Sequence, residues 1–251
     1  MQKRGQVTLF IILGILLVVV IVVATYYKGD VLKEALLSTT KVTTFPEDVE
    51  LLKDEISDCH LMVAQDGLEL LGEQGGYIFP PEDSLVTEDR VIAYSYDGKA
   101  QVPSIATMQQ ELQDYMEIIL PLCPDYETYE EQFVLETGAS SSTVTVKKDK
   151  VTFETTYPIS ATKGEDIYKI SEPYTATFDV RLNTLHDTVE KITSKVAENP
   201  DVIDPEFLLT LGIPIDILPY SDDTVVYLLE DTETEMPIGG ETYLYMFATR
   251  K

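Results

Sequence analysis

The sequence predicts an α+β fold, with an N-terminal transmembrane helix followed by an ectodomain of two disulfide-linked helices and an antiparallel sheet with further short helices. Three patterns predict it. The chain opens on an unbroken apolar run, Val7 to Ala24. Apolar residues then recur on one helical face across 49–63 and again across 105–119. From Thr143 the alternation becomes that of half-buried strands. The expected organisation is a leader or cytoplasmic tip at 1–5, a transmembrane helix at 6–27, a juxtamembrane segment at 28–45 and an acidic extracytoplasmic domain at 46–251.

The apolar run is roughly 18 residues long, close to the ~20 that a helix needs to cross a ~30 Å hydrocarbon core. Lipid offers the backbone no hydrogen bonds, so such a run must be helical there. Val7, Phe10 and Ala24 lie along it, and Gly14 is the small residue midway that permits close helix approach. Tyr26 and Tyr27 fit the far interface. Lys3 and Arg4 on the short side read as cytoplasmic, which faces everything after Lys28 outward. The expectation is a single-pass protein of the cell membrane with an extracellular C-terminal domain and the lipid bilayer as its first partner.

Three readings of this N-terminus compete. One is a plain signal anchor. A second is a cleaved secretory signal, with Val22 and Ala24 as the small residues before a cut at Thr25. The third rests on Lys3-Arg4-Gly5 followed by Gln6-Val7-Thr8 and the apolar helix. That arrangement resembles the class III signal peptide of archaeal type IV pilin-like proteins. The resemblance implies cleavage after Gly5, leaving Gln6 as the new N-terminus and the helix on the mature chain. Gln6 and Thr8 match residue types common at the first and third mature positions of that family. Leu9 and Phe10 stand where many pilins carry a glutamate, which implies a minor or non-filamentous member.

The domain at 46–251 begins with helices. Pro46 suits a helix start, and Glu47, Asp48 and Glu50 suit its positive end. Val49, Leu52, Ile56, Cys59 and Val63 form its apolar stripe, and the helix should run to about Leu71 and stop at Gly72 or Gly75-Gly76. Residues 75–81 (GGYIFPP) cannot be helical. Ser104 caps a second helix, whose stripe is Ile105, Met108, Leu112, Tyr115 and Ile119 and which Pro121 ends. Cys59 and Cys123 are the only cysteines. On the outer face of a membrane an even pair reads as a disulfide, here a staple between the two helices. The alternative is two buried thiols that never meet.

Strands follow. Val144 and Val146 alternate with polar neighbours, Lys148-Asp149 turns, and Val151 to Tyr157 and Tyr174 to Leu182 alternate again. A helix starting at Thr184, with Asp187 as capping partner, carries the stripe Leu185, Val189, Ile192 and Val196. Asp204-Pro205-Glu206 opens a short helix that Gly212 ends. Segments 213–218, 224–230 and 241–249 close the chain as strands.

The formal net charge is −26, from 44 acidic against 18 basic residues. Such a surface repels nucleic acid, so no nucleic-acid partner is expected. It attracts cations non-specifically, or basic partners. Self-association and other envelope proteins are the remaining partner classes.

The chemistry-bearing residues form no recognisable catalytic pattern. The two histidines are His60 and His186. His60 follows Cys59, and adjacent helical residues point about 100° apart, so they cannot couple directly. His186 reads as a surface residue. Asp222-Asp223 and Glu230-Asp231 with Glu233 and Glu235 gather oxygens of the kind hard cations want, although acidic loops in an acidic protein are mostly solvated. The tyrosine pairs Tyr94/Tyr96 and Tyr243/Tyr245 suit a binding surface or strand packing. Gly239-Gly240 reads as a hairpin turn. No catalytic residue, cofactor or specific metal is expected. The function expected is that of a pilin-like cell-surface structural or interaction protein, not an enzyme, with a non-polymerising anchored adhesin or binding domain as the alternative and, third, a membrane-anchored enzyme whose site is assembled from scattered Asp and Glu.

Overall fold

The computed structural model describes residues 45–88 and 90–251. Helix α1 (Glu47–Glu73) is its longest element. It is followed by the short strands β1 (Leu85–Val86), β2 (Val91–Ile92) and β3 (Tyr94–Asp97). Helix α2 (Ile105–Ile119) comes next, then a 3₁₀ turn at Leu120–Leu122 and the one-turn helix α3 (Glu127–Glu130). Six strands form the middle of the chain: β4 (Val134–Thr137), β5 (Ser141–Val146), β6 (Val151–Thr156), β7 (Ile159–Lys163), β8 (Asp166–Ile170) and β9 (Tyr174–Phe178). Helices α4 (Leu182–Glu198) and α5 (Pro205–Leu209) precede the final strands β10 (Ile215–Pro219), β11 (Thr224–Asp231) and β12 (Tyr243–Arg250).

The expected single antiparallel sheet is corrected to four sheets. One has the order β10-β11-β12-β3, and its β12–β3 pair is parallel. β1 and β2 form a separate antiparallel pair. The remaining two sheets, β4-β7-β8 and β5-β6-β9, have a common origin in the chain path. Segments 134–146, 151–163 and 166–178 run as a three-stranded meander, each broken at its middle. Pro158 and Pro173 lie at two of the breaks, where a missing N–H interrupts the ladder. At the third, Gly138 N–H donates to the Pro158 carbonyl at 2.8 Å. A Cβ on Gly138 would lie 2.6 Å from the Pro158 ring, so only glycine fits this crossing.

One apolar core joins these parts. It takes Val63, Leu68 and Leu71 from α1, Met108 and Leu112 from α2, Phe153 and Phe178 from the β5-β6-β9 sheet, Leu185 and Val189 from α4, and Tyr227 and Phe247 from the C-terminal sheet. Both faces of β12 are covered. Tyr243, Tyr245 and Phe247 face this core, while Met246 and Ala248 face a smaller cluster with Leu85, Ile92 and Tyr94. The tyrosine pairs therefore pack strands, with all four rings buried.

Boundaries shift where packing overrides local signals. α1 runs through Gly72, because a Cβ there would sit 2.2 Å from the Leu244 carbonyl oxygen and the bare glycine lets β12 lie against the helix. The chain reverses just after, at Gly75 (φ +77°) and Gly76 (φ +89°). α4 starts at Leu182 and not at Thr184, with Arg181 at the N-cap making no side-chain cap bond, because the Leu182 side chain is wholly buried. Ser104 does cap α2, accepting from Thr107 N–H at 3.1 Å. Asp204 caps α5, which ends at Leu209, short of Gly212.

The membrane expectation is also corrected. No helix among the described residues is long and apolar enough to cross a membrane. α1 has the length, but Glu47, Asp48, Glu50, Lys53, Asp54, Glu55 and Asp58 fill its first half, and lipid does not accommodate such charge. The predicted span at 6–27, with Val7, Phe10, Gly14, Ala24, Tyr26 and Tyr27, lies outside the described residues. So do the leader residues Gly5 and Gln6 and the segment 28–44.

Candidate functional site

Cys59 and Cys123 form a disulfide, with their Cα atoms 5.8 Å apart. Cys59 lies on the buried stripe of α1, and Cys123 follows the 3₁₀ turn that ends α2. Around it, Glu55 of α1 accepts from Asp125 N–H at 2.6 Å and from the Tyr129 hydroxyl at 2.8 Å. Burial of Tyr129 and the Glu55 bond raise that phenol to about 12. The bridge and the Glu55 bonds tie the α2–α3 connection to the first half of α1.

His60 points away from the bridge, as the helical angle requires. Its Nε2 hydrogen bonds Thr155 Oγ1 at 3.1 Å, and Thr155 in turn bonds Ser142 Oγ at 2.9 Å. This chain is buried at every member, with His60 2% exposed, so no substrate reaches it. Desolvation lowers the His60 pKa to about 4. The unfolded imidazole titrates near 6.5, so the unfolded chain takes up the proton first. Stability is thus full above pH ~6.5 and falls as pH drops toward 4, by about 3 kcal/mol in all. Urea titrations at pH 7.5 and 4.5 should show this loss, and His60→Gln should remove most of it. An unchanged slope in the variant would assign the acid sensitivity to other groups.

The acidic residues singled out in the sequence do not converge. Asp223 accepts from the Ser221 and Thr224 hydroxyls within its own turn. Glu230 accepts from the Thr242 hydroxyl across the last hairpin. Asp231, wholly buried, holds Arg181 and Thr234, and Arg181 also bridges Glu233 at 2.9 Å. Burial alone would raise the Asp231 pKa, but the bonds from Arg181 and Thr234 together lower it. Gly239 and Gly240 belong to the 232–242 connection, which is longer than a tight hairpin turn. Gln65 of α1 clamps that loop, donating to the Ile238 carbonyl at 2.7 Å and accepting from Ile238 N–H at 2.8 Å.

His186 is not a surface residue. It is 8% exposed, and its Nε2–H donates to the Pro103 carbonyl at 3.0 Å. Sequence reasoning missed this because Pro103 is remote in the chain and nothing local marks it as a partner.

A second feature, also unforeseen, is an open apolar groove of about 420 Å³ on the outer face of the C-terminal sheet. Ile92, Leu218, Tyr220, Leu228, Leu244 and Met246 line it. Leu218 and Tyr220 are about half exposed. Sequence periodicity could flag it only as apolar residues on both parities of β11 and β12.

No protein family matches the chain, and no curated protein or solved structure matches it either. The resemblance to class III signal peptides therefore rests on residues 3–8 and the run after them.

Proposed function

We propose that this is a non-catalytic structural or interaction protein of pilin-like type, with 46–251 as its disulfide-stapled head. The observation that carries the reading is the fate of its reactive side chains. Both cysteines are bridged, His60 is sealed in the core, and Asp231 is held by Arg181. Each group the sequence offers for catalysis at these positions is used to hold the head together. The pilin-like part rests on Lys3-Arg4-Gly5 and Gln6-Val7-Thr8.

The outer groove supports the second reading, a binding domain that never polymerises. Exposed apolar patches of this kind mark contact surfaces. The N-terminus of the chain from its native source separates the two. A mature chain starting at Gln6, by intact mass and sequencing, supports the pilin type, and filaments would then be sought by electron microscopy. A start at Met1 overturns it and leaves the binding domain.

A further inference from the structure

His186, Asp187 and Glu190 each offer a ligand atom, and these atoms lie within 4.8 Å of one another. His186 and Glu190 are four residues apart on α4, which stacks them on one face. An Asp187 oxygen lies 3.9 Å from His186 Nδ1. The two carboxylates are exposed, whereas the His186 side chain is only 11% exposed.

The imidazole distinguishes this cluster from the solvated acidic loops. A carbonyl oxygen can only accept, so the Pro103 bond places a proton on Nε2. In the neutral ring Nδ1 then carries the lone pair. Among the described residues no donor bonds that nitrogen, and it faces the Asp187 carboxylate. A histidine fixed through its outer N–H to a backbone carbonyl, with the other nitrogen bare, is set in the tautomer and orientation that metal ligation needs.

We infer that His186 Nδ1, Asp187 and Glu190 form a binding site for a divalent transition metal ion of the zinc class. An imidazole ligand favours zinc, cobalt, nickel or copper over magnesium and calcium. An open cleft of about 540 Å³, lined by Asp187, Glu190, Lys191 and Lys195 among others, leaves room for waters to complete the coordination. Lys195 pairs with Glu198 at 3.4 Å, while the Lys191 ammonium on the same cleft opposes the ion and keeps the affinity moderate.

The test is calorimetric titration of the full chain with zinc chloride, alongside visible absorption with cobalt chloride. The expected result is one ion per chain and a cobalt spectrum containing a nitrogen ligand. Glu190→Gln and Asp187→Asn, both at exposed positions, should each weaken binding at least about tenfold, with metal-free thermal unfolding unchanged. Absence of binding overturns the site. So does uptake of several equivalent ions that ignores both substitutions, which is what the net charge of −26 alone would produce.

Discussion

Reduction of the Cys59–Cys123 bond, or Cys→Ser replacement at both positions, is expected to lower the unfolding free energy by about 4 kcal/mol. The bond joins positions 64 residues apart, so its loss frees a long loop in the unfolded chain. Folded domains of this size hold only about 5–15 kcal/mol in total, so the loss is a large share. The native contacts around the bridge survive in part. Tyr115 of α2 still lies so close to Gly67 of α1 that an added Cβ there would be 3.0 Å from its ring, and Glu55 still accepts from Tyr129. The reduced protein should therefore fold at neutral pH and unfold at a lower urea concentration. Its m-value should rise, because an uncrosslinked unfolded chain exposes more surface. Equal midpoints for oxidised and reduced protein would mean that the α1–α2 packing holds without the staple.

How much of this was legible in the sequence depends on where each signal came from. The stripes of α1, α2 and α4 were readable because each helix buries one face and the period is long enough to register. The cysteine pairing was readable for the same reason, since both residues fall at or beside those stripes. The short strands β1 and β2 were not, and β3 was marked only by its tyrosine pair. Tyr94-Ser95-Tyr96 is buried at all three positions, so no alternation marks it, and its partner β12 lies at the far end of the chain. β4 and β8 are mostly exposed edge strands and carry little apolar pattern. The breaks at Pro158 and Pro173 divide the meander of the chain path into two sheets, and only β5, β6 and β9 carry the alternation readable in the sequence. At the site level, the Pro103–His186 bond and the Arg181–Asp231 pair bring together distant segments, and pattern cannot supply that distance information.

The same remoteness makes Asp231 the position where a single substitution should cost most. Asp231 ends β11, Arg181 precedes α4, and Thr234 lies early in the loop toward β12. Its Oδ1 accepts from Arg181 Nε at 2.9 Å, and its Oδ2 accepts from the Thr234 hydroxyl at 2.7 Å. Thr234 also donates to the Asp179 carbonyl at 2.9 Å, so the one carboxylate joins three segments. Asp231→Ala leaves the Arg181 charge, whose side chain is 22% exposed, without its buried partner. The expected loss is about 3 kcal/mol, the low end of the range for breaking a buried ion pair from one side, because Arg181 keeps Glu233 at 2.9 Å. Replacing both partners, with Arg181→Met and Asp231→Leu, should cost less than Asp231→Ala alone, because no charge is then stranded. The pH dependence has a definite sign. The folded pKa of Asp231 lies below its usual value, so the contribution is present above that usual value and is lost as pH falls through the folded one. Asp231→Asn should thus lose stability at pH 7 and converge toward the parent protein in acid. A double variant no more stable than Asp231→Ala would show that the three-segment junction depends on the carboxylate itself and not on charge balance.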